Sequence, residues 1–153
     1  MSPHYLKPGR YEAVLVHRPL AWLARRGIRL YGLSELAVRG RKSGAWRTTP
    51  VNPLSHAGER YLVAPRGHTQ WVRNLREAGN GELRSGRRRT DRFTATELPD
   101  AEKPEVLRAY LKRWGWEVGR FFDGVNAKSS DEELLAAAHK HPVFRITVHE
   151  EPA

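Results

Sequence analysis

The turn Gly40-Arg41-Lys42-Ser43-Gly44 brings together residue types that can bind an anion. Its two glycines let the backbone turn sharply and present successive N–H groups. Arg41 and Lys42 add two positive charges, and Ser43 adds a hydroxyl. Backbone donors combined with cations bind clusters of anionic oxygens such as phosphates. A solvated hairpin turn has the same composition, so the turn alone leaves both interpretations open.

The residues around this turn exclude a nucleotide-binding P-loop. A P-loop reads Gly-x-x-x-x-Gly-Lys-Ser/Thr before a helix, whereas Lys42-Ser43 precedes the second glycine here. The segment after the turn is rich in β-branched residues, and its Pro50 indicates an edge strand or a bulge. An anion bound here would therefore lie at a β-turn and not at a helix N-terminus.

Length and composition indicate one globular domain with a hydrophobic core. The chain has 153 residues, of which 39% are hydrophobic and 29% are charged. The absence of cysteine excludes disulfides and thiolate metal sites, and it fits a cytoplasmic protein. No apolar run approaches the roughly 20 residues of a membrane span. The N-terminus also lacks the pattern of a signal peptide.

The chain is strongly basic, with 27 Lys and Arg residues against 17 Asp and Glu residues and a net charge of +10. Such a charge attracts nucleic acid, anionic lipid or small polyanions. Arginines cluster around the hairpin at 84–92, as in some nucleic-acid-binding modules, but Phe93 is the one aromatic residue within reach of that tract. We expect no specific nucleic-acid partner, and peripheral membrane contact stays open.

Apolar periodicity and turn residues predict a mainly antiparallel α+β domain. Strands are predicted at about 33–39, 46–55, 59–65, 81–85, 88–98 and 143–149. Helical segments are predicted at about 10–26, 70–78, 99–114 and 131–139. Thr69 is the expected N-cap of the second segment, and Ser130 with Glu133 forms a capping box for the last. Gly115 is expected to interrupt the aromatic stretch that follows Trp114.

These elements predict a single domain over residues 1–153, in which helices pack on a small closed barrel. The barrel core would span about 33–98 together with the strand at 143–149. The segment at about 99–140 would be a helical insertion.

With these elements placed, the sequence resembles the deazaflavin-dependent nitroreductase family. The matching motifs are Gly40-Arg41-Lys42-Ser43-Gly44-x-x-Arg47-x-x-Pro50-Val51, Pro53-Leu54, Tyr61-Leu62-Val63-Ala64 and Trp71-Val72-x-Asn74-Leu75. The resemblance implies a split β-barrel of the FMN-binding type and the coenzyme F420. It also implies hydride transfer from the reduced coenzyme, F420H2, to an electron-poor acceptor such as a quinone or a nitro compound. FMN and haem stay open as alternatives, because a cofactor does not follow from a fold.

The resemblance also assigns residues to the site. The coenzyme carries a phosphodiester and a polyglutamate tail, which suit a cationic turn. The implied cofactor-binding residues are Arg41, Lys42, Ser43, Gly44, Arg47, Arg66, Gly67, Trp71 and Asn74. The aromatic residues Trp114, Trp116 and Phe121 are expected to wall the acceptor pocket, with Trp116 affecting the acceptor more than the coenzyme. Trp71 could instead be a core anchor, and Asn74 could instead satisfy backbone groups.

No catalytic residue is marked by the sequence. Tyr110 is the one hydroxyl-bearing aromatic residue near the place where the best-known nitroreductase of the family has a tyrosine cluster, so it is the candidate proton donor. His139-x-His141 lacks the partners of a metal site, and we expect none. A coenzyme carrier without turnover and a nucleic-acid-binding module stay as rival functions. The physiological acceptor and the choice between monomer and homodimer also stay open.

Overall fold

The computed structural model describes residues 34–85 and 89–149. The predicted helical segment at 10–26 lies outside the described residues, as do residues 86–88 of the arginine-rich hairpin. The described residues form the strands β1 (Ser34–Arg39), β2 (Trp46–Val51), β3 (Leu54–His56), β4 (Glu59–Val63), β5 (Asn80–Ser85), β6 (Arg89–Glu97) and β7 (Val143–His149). They also form the helices α1 (Gln70–Ala78), α2 (Lys103–Val118) and α3 (Asp131–Ala137).

The strands make one curled antiparallel sheet in the order β2-β1-β5-β6-β7-β4-β3. The predicted split β-barrel in an α+β fold is therefore confirmed. The expectation of a closed barrel is wrong, because no pairing between the two edge strands β2 and β3 is found in the described ranges. Pro50 lies in the edge strand β2, where its missing N–H removes no bond from the interior of the sheet.

One predicted strand is divided in the structure. The segment at 46–55 forms β2 and then β3, with Asn52 and Pro53 between them in no regular element. Proline cannot donate to a strand ladder, and the chain passes here from one edge of the sheet to the other. Asn52 therefore lies outside the strand ladder, and it lines the cavity described below.

The sheet is covered on both faces at β4, where side chains alternate between two cores. Tyr61 and Val63 belong to the core formed with α2 and α3, whereas Leu62 belongs to the core formed with α1. Helix α1 contributes Val72 and Leu75 to the second core, and both are fully buried. The two helices α1 and α2 are thus fixed relative to the same strands, which matters because both carry residues of the site.

Helix α2 runs through Gly115 to Val118, and the expected interruption at Gly115 is wrong. Trp114 and Val118 are both buried in the core of α2 and α3. Burial of two such side chains contributes several kcal/mol, more than the roughly 1 kcal/mol that a glycine costs inside a helix. The continuation gives residues 115–118 helical spacing, and this decides which of them face the site.

Two further predicted helix signals are confirmed, at the end of α1 and at the start of α3. Gly79 ends α1 with a left-handed φ of 73°. The capping box at the start of α3 is present, with Ser130 Oγ accepting from Glu133 N at 3.1 Å and Ser130 N donating to Glu133 Oε1 at 2.9 Å. Helix α3 ends at Ala137 and is followed by a 3₁₀ turn, slightly before the predicted end at 139. Within the described ranges, no helix has the length and apolar character needed to cross a bilayer.

Gly81 in β5 gives a stability prediction. A Cβ atom at this position would lie 2.8 Å from the carbonyl oxygen of Ala37 and 3.0 Å from the Phe93 ring. Both neighbours belong to adjacent strands of the sheet, so neither can move away freely. We expect Gly81→Ala to lower the free energy of unfolding by about 1–3 kcal/mol, the range for overpacking, as measured by denaturant titration.

Gly115→Ala is the matched control for that measurement. A Cβ atom at Gly115 would have no neighbour within 4 Å, and the residue lies inside helix α2. This substitution should raise the free energy of unfolding by about 0.4–1 kcal/mol, because alanine loses less conformational entropy on folding. Equal stabilities of the two variants would contradict the close approach of β1 and β5 at Gly81.

Candidate functional site

A cavity of about 710 Å³ lies between the Gly40–Gly44 turn, β2, the loop after β4, helix α1 and the C-terminal end of α2. Its volume is in the range of sites for small molecules and cofactors. The predicted site residues that line it are Arg41, Lys42, Ser43, Arg47, Arg66, Trp71, Asn74, Tyr110 and Phe121. The structure thus brings together residues from distant parts of the chain.

The turn itself is held by backbone bonds. Gly40 N donates to Ala45 O at 2.7 Å, and Gly44 N donates to Gly40 O at 2.8 Å. Gly44 has a φ of 74°, which favours glycine. In the part of the chain that the structure describes, the N–H groups of Lys42 and Ser43 donate to no acceptor, so these two remain available for an anion.

Asn74 on α1 fixes the turn through Arg41. Its Oδ1 accepts from Arg41 N at 3.1 Å and from Arg41 Nη1 at 2.8 Å, and Gln70 Oε1 accepts from the same Nη1 at 2.9 Å. Asn74 is buried. The one acceptor atom of this side chain is therefore used to position the turn.

The cavity is strongly positive. Lys42 and Arg47 line it and form no ion pair with any residue in 34–85 or 89–149. The guanidinium carbon atoms of Arg66 and Arg120 lie 5.3 Å and 4.7 Å from the ring centroid of Phe121. This arrangement holds two more cations at the wall by cation–π contact.

Thr69 provides an independent sign that a polar ligand belongs here. It occupies the predicted N-cap position of α1, yet its hydroxyl makes no capping hydrogen bond. Thr69 Oγ1 is buried and lacks a hydrogen-bond partner among the described residues, although Thr69 lines the cavity. A buried polar atom normally has a partner, and a ligand oxygen at this helix start would supply one.

Two of the predicted coenzyme contacts shape loops without lining the cavity. Gly44 closes the cationic turn as described above. Gly67 is buried, has a φ of 88° and donates its N–H to Ala64 O at 3.2 Å, in the turn that leads into α1. Trp71, at the start of that helix, does line the cavity and also packs on Phe144, with ring centroids 6.1 Å apart.

The structure places Trp114 and Trp116 outside the cavity. Trp114 is a core residue whose Nε1 donates to Pro53 O at 3.3 Å. Trp116 is 71% exposed to solvent. Both positions follow from the unbroken helix α2, on which Trp114 and Val118 face the core and Trp116 faces solvent. Of the three predicted aromatic wall residues, only Phe121 lies at the cavity.

A polar cluster in the cavity wall combines Tyr110, the predicted candidate for the proton donor, with Asn52 and Glu117, which the sequence reasoning missed. Asn52 Nδ2 donates to Glu117 Oε2 at 3.3 Å. Burial raises the pKa of the Glu117 carboxyl, against the opposing effects of the Asn52 hydrogen bond and the charge of Arg113. Burial, with the Glu117 charge second, also raises the pKa of Tyr110, and the hydrogen bond from Asn52 opposes it.

The structure thus combines a curled split barrel with a cationic cavity of a size that suits a cofactor. The family model of the F420H(2)-dependent quinone reductases matches residues 21–116, which is more than half of the chain. This protein belongs to that family. The predicted family, enzyme class and deazaflavin coenzyme F420 are thereby confirmed.

Similar solved structures agree on the fold. An F420-H2 dependent reductase is 18% identical with a TM-score of 0.51, over 76% of this chain and 94% of that one. A structure described as an F420 reductase is 12% identical with a TM-score of 0.50, over 94% and 97%. A FAD-binding protein from Mesorhizobium loti is 16% identical with a TM-score of 0.52, over 80% and 87%. No curated protein matches the chain significantly.

Proposed function

We propose that this protein transfers a hydride from F420H2 to a quinone-type acceptor, with both molecules bound in the 710 Å³ cavity. The observation that carries the proposal is the composition of this cavity in a chain of the quinone reductase family. Cations and backbone donors line one part of it, and apolar and aromatic side chains line another. A coenzyme with an anionic tail and a flat ring needs both kinds of surface.

The cationic turn would hold the anionic tail of the coenzyme. Lys42 and Arg47 have no other ion pair with described residues, and the free N–H groups of Lys42 and Ser43 add directional donors. Thr69 Oγ1 would gain its missing partner from a ligand oxygen. When bound, the reduced coenzyme supplies the hydride. The protein orients the reactants and excludes water.

The acceptor would lie against the apolar wall. Val118 and Phe121 come from the end of α2 and the turn after it, and Pro50 and Val51 come from β2. A planar quinone can stack on such a surface, and a nitroaromatic compound has the same flat shape. Arg66 and Arg120, held on the Phe121 ring, would favour the negative charge that develops on the acceptor.

The structure supports this proposal over nucleic-acid binding. Arg84 pairs with Glu82 at 3.0 Å, and Arg89 pairs with Asp91 at 3.2 Å. Two arginines of the basic hairpin therefore have acidic partners on the sheet, whereas Lys42 and Arg47 in the cavity form no ion pair with a described residue. We expect binding to duplex DNA or RNA to be weak, with a Kd of about 10⁻⁴ to 10⁻⁶ M at physiological salt.

Anaerobic stopped-flow spectroscopy tests the reaction. Purified protein with F420H2 should reoxidise the coenzyme when menadione is added, seen as the return of the deazaflavin absorbance band. NADPH should not replace F420H2, since the sequence contains no Gly-x-Gly-x-x-Gly fingerprint. Trp116→Ala serves as a control for substitutions inside the cavity. Its exposed side chain lies outside the cavity, so its loss should leave the rate of F420H2 reoxidation unchanged.

Two results would favour a rival. If F420H2 binds but no quinone, nitro compound or enone reoxidises it, the protein is a coenzyme carrier. If FMN or haem gives a difference spectrum and F420 gives none, the cavity serves a different cofactor.

A further inference from the structure

The Asn52–Tyr110–Glu117 cluster places a carboxyl group beside the apolar acceptor surface, and it is the only carboxyl group among the described residues that line the cavity. Glu117 directly precedes Val118 on α2, and the Gly119–Phe121 turn follows at once. Asn52 comes from the break between β2 and β3, so the amide that holds this carboxyl belongs to a separate element. The cluster is thus fixed from both sides at the place proposed for the acceptor.

Resting on the proposed function, we propose that Glu117 is the proton donor to the reduced acceptor and that Asn52 positions its carboxyl group. A quinone that accepts a hydride gains two electrons and becomes a hydroquinone anion, while the coenzyme is oxidised by two electrons. The O–H bond of the Glu117 carboxyl breaks, and a new O–H bond forms on the acceptor oxygen. The oxidised coenzyme gives its remaining proton to the solvent, and the carboxylate takes up a proton from the solvent, so that no net proton is consumed.

Glu117 suits this role better than Tyr110. Burial raises the pKa of the Glu117 carboxyl, which keeps more of it protonated near neutral pH, where a general acid is most useful. Burial also raises the pKa of Tyr110 above that of an ordinary tyrosine, which makes its hydroxyl a weaker acid. The hydroxyl of Tyr110 is better suited to donating a hydrogen bond to the acceptor than to giving up its proton.

The charged side chains that the described residues place around Glu117 are all positive. Arg113 on the same helix lowers the pKa of the carboxyl, although less than burial raises it. The other charged groups that line the cavity are Arg41, Lys42, Arg47, Arg66 and Arg120. Among the described lining residues there is no histidine or aspartate, so Glu117 and Tyr110 are the acids available apart from Lys42.

The pH dependence follows from the protonated form being active. Acceptor reduction should fall as pH rises through the pKa of Glu117, and this descending limb should lie above the range of an ordinary glutamate. In Glu117→Gln the limb should disappear, and the rate with menadione should fall by about 10²-fold, at the low end for loss of a general acid. Affinity for F420 should change by less than about twofold, because no hydrogen bond or ion pair joins Glu117 to the cationic turn among the described residues.

A cationic acceptor separates proton donation from hydride transfer. Methylene blue is a cation that becomes neutral on accepting a hydride, so its reduction needs no proton from the protein. Glu117→Gln should therefore slow menadione reduction strongly and methylene blue reduction by less than about threefold. Equal slowing with both acceptors, or no slowing with either, overturns the proposal. If the wild-type protein reduces neither acceptor, the proposed function fails as well.

A titration of the coenzyme-free protein tests the same group without turnover. With ¹³C-labelled glutamate, the carboxyl resonance absent from the Glu117→Gln spectrum belongs to Glu117. The pH midpoint of the titration of this resonance should lie above that of an ordinary glutamate. Asn52→Ala should raise the midpoint further, because the Asn52 hydrogen bond lowers the pKa of Glu117. A midpoint at or below the ordinary value overturns the assignment of Glu117 as the acid.

Discussion

Replacement of both cations of the turn, in Arg41→Ala/Lys42→Ala, is expected to weaken F420 binding by about 3–6 kcal/mol. Each lost contact to an anionic oxygen accounts for about 1.5–3 kcal/mol, and each 1.4 kcal/mol is a tenfold change in Kd. Lys42→Ala alone should show the cleaner effect, because Lys42 makes no hydrogen bond or ion pair with the rest of the described chain. Fluorescence titration with oxidised F420 measures both variants.

Arg73→Ala is the matched control for the turn. Arg73 is an exposed cation of α1 that lies outside the cavity, so its loss changes the net charge without changing the site. Added salt should weaken binding to the wild-type protein more than to the double variant, since fewer charges remain to be screened. A double variant that binds F420 like the wild type would remove the turn from the coenzyme site.

The parts of the fold that were predicted from sequence depend on local signals. The Ser130–Glu133 capping box, the glycine that ends α1 and the proline in the edge strand β2 act within a few residues of the chain. Side-chain alternation identified the strands for the same reason. The Gly40–Gly44 turn could be located because its two glycines lie within five residues of the chain, and its position at the cavity agrees with the resemblance.

The parts that could not be predicted depend on contacts across the chain. Whether α2 continues past Gly115 is decided by the burial of Trp114 and Val118 against other elements. That single outcome moves Trp116 to solvent and brings Glu117 to the cavity. The partner of Glu117 is Asn52, 65 positions away, and no local pattern predicts such a pair.

The role of Asn74, in the part of the cavity proposed for the coenzyme, also depends on a contact between distant parts of the chain. The resemblance implied that it binds the cofactor, and the alternative was that it satisfies backbone groups. In the structure its Oδ1 accepts two hydrogen bonds from Arg41, across 33 positions of the chain. The positive turn is therefore held in place by a side chain of α1, and its geometry depends on that side chain as much as on its own glycines.

Asn74→Leu should remove that support at nearly constant side-chain volume. The substitution deletes a hydrogen bond to a charged group and leaves Arg41 N–H without its buried acceptor, which together should cost about 2–4 kcal/mol. Part of this cost should appear as lower stability, and the rest as weaker F420 binding, because the turn must then be ordered when the coenzyme binds. Denaturant titration and F420 titration measure the two parts.

Asn74→Asp separates the geometry of the turn from its charge. A carboxylate keeps both acceptor positions for Arg41, so the stability of this variant should stay close to that of the wild type. Its negative charge lies beside Arg41 and should repel the anionic tail of the coenzyme. F420 binding should therefore weaken by about 1–2 kcal/mol at low salt. Added salt should restore part of that loss, because it screens the new charge. Asn74→Leu could instead bind F420 as tightly as the wild type while Asn74→Asp binds it weakly. In that case the charge of the cavity decides affinity, and the hydrogen bonds from Arg41 to Asn74 serve only the fold.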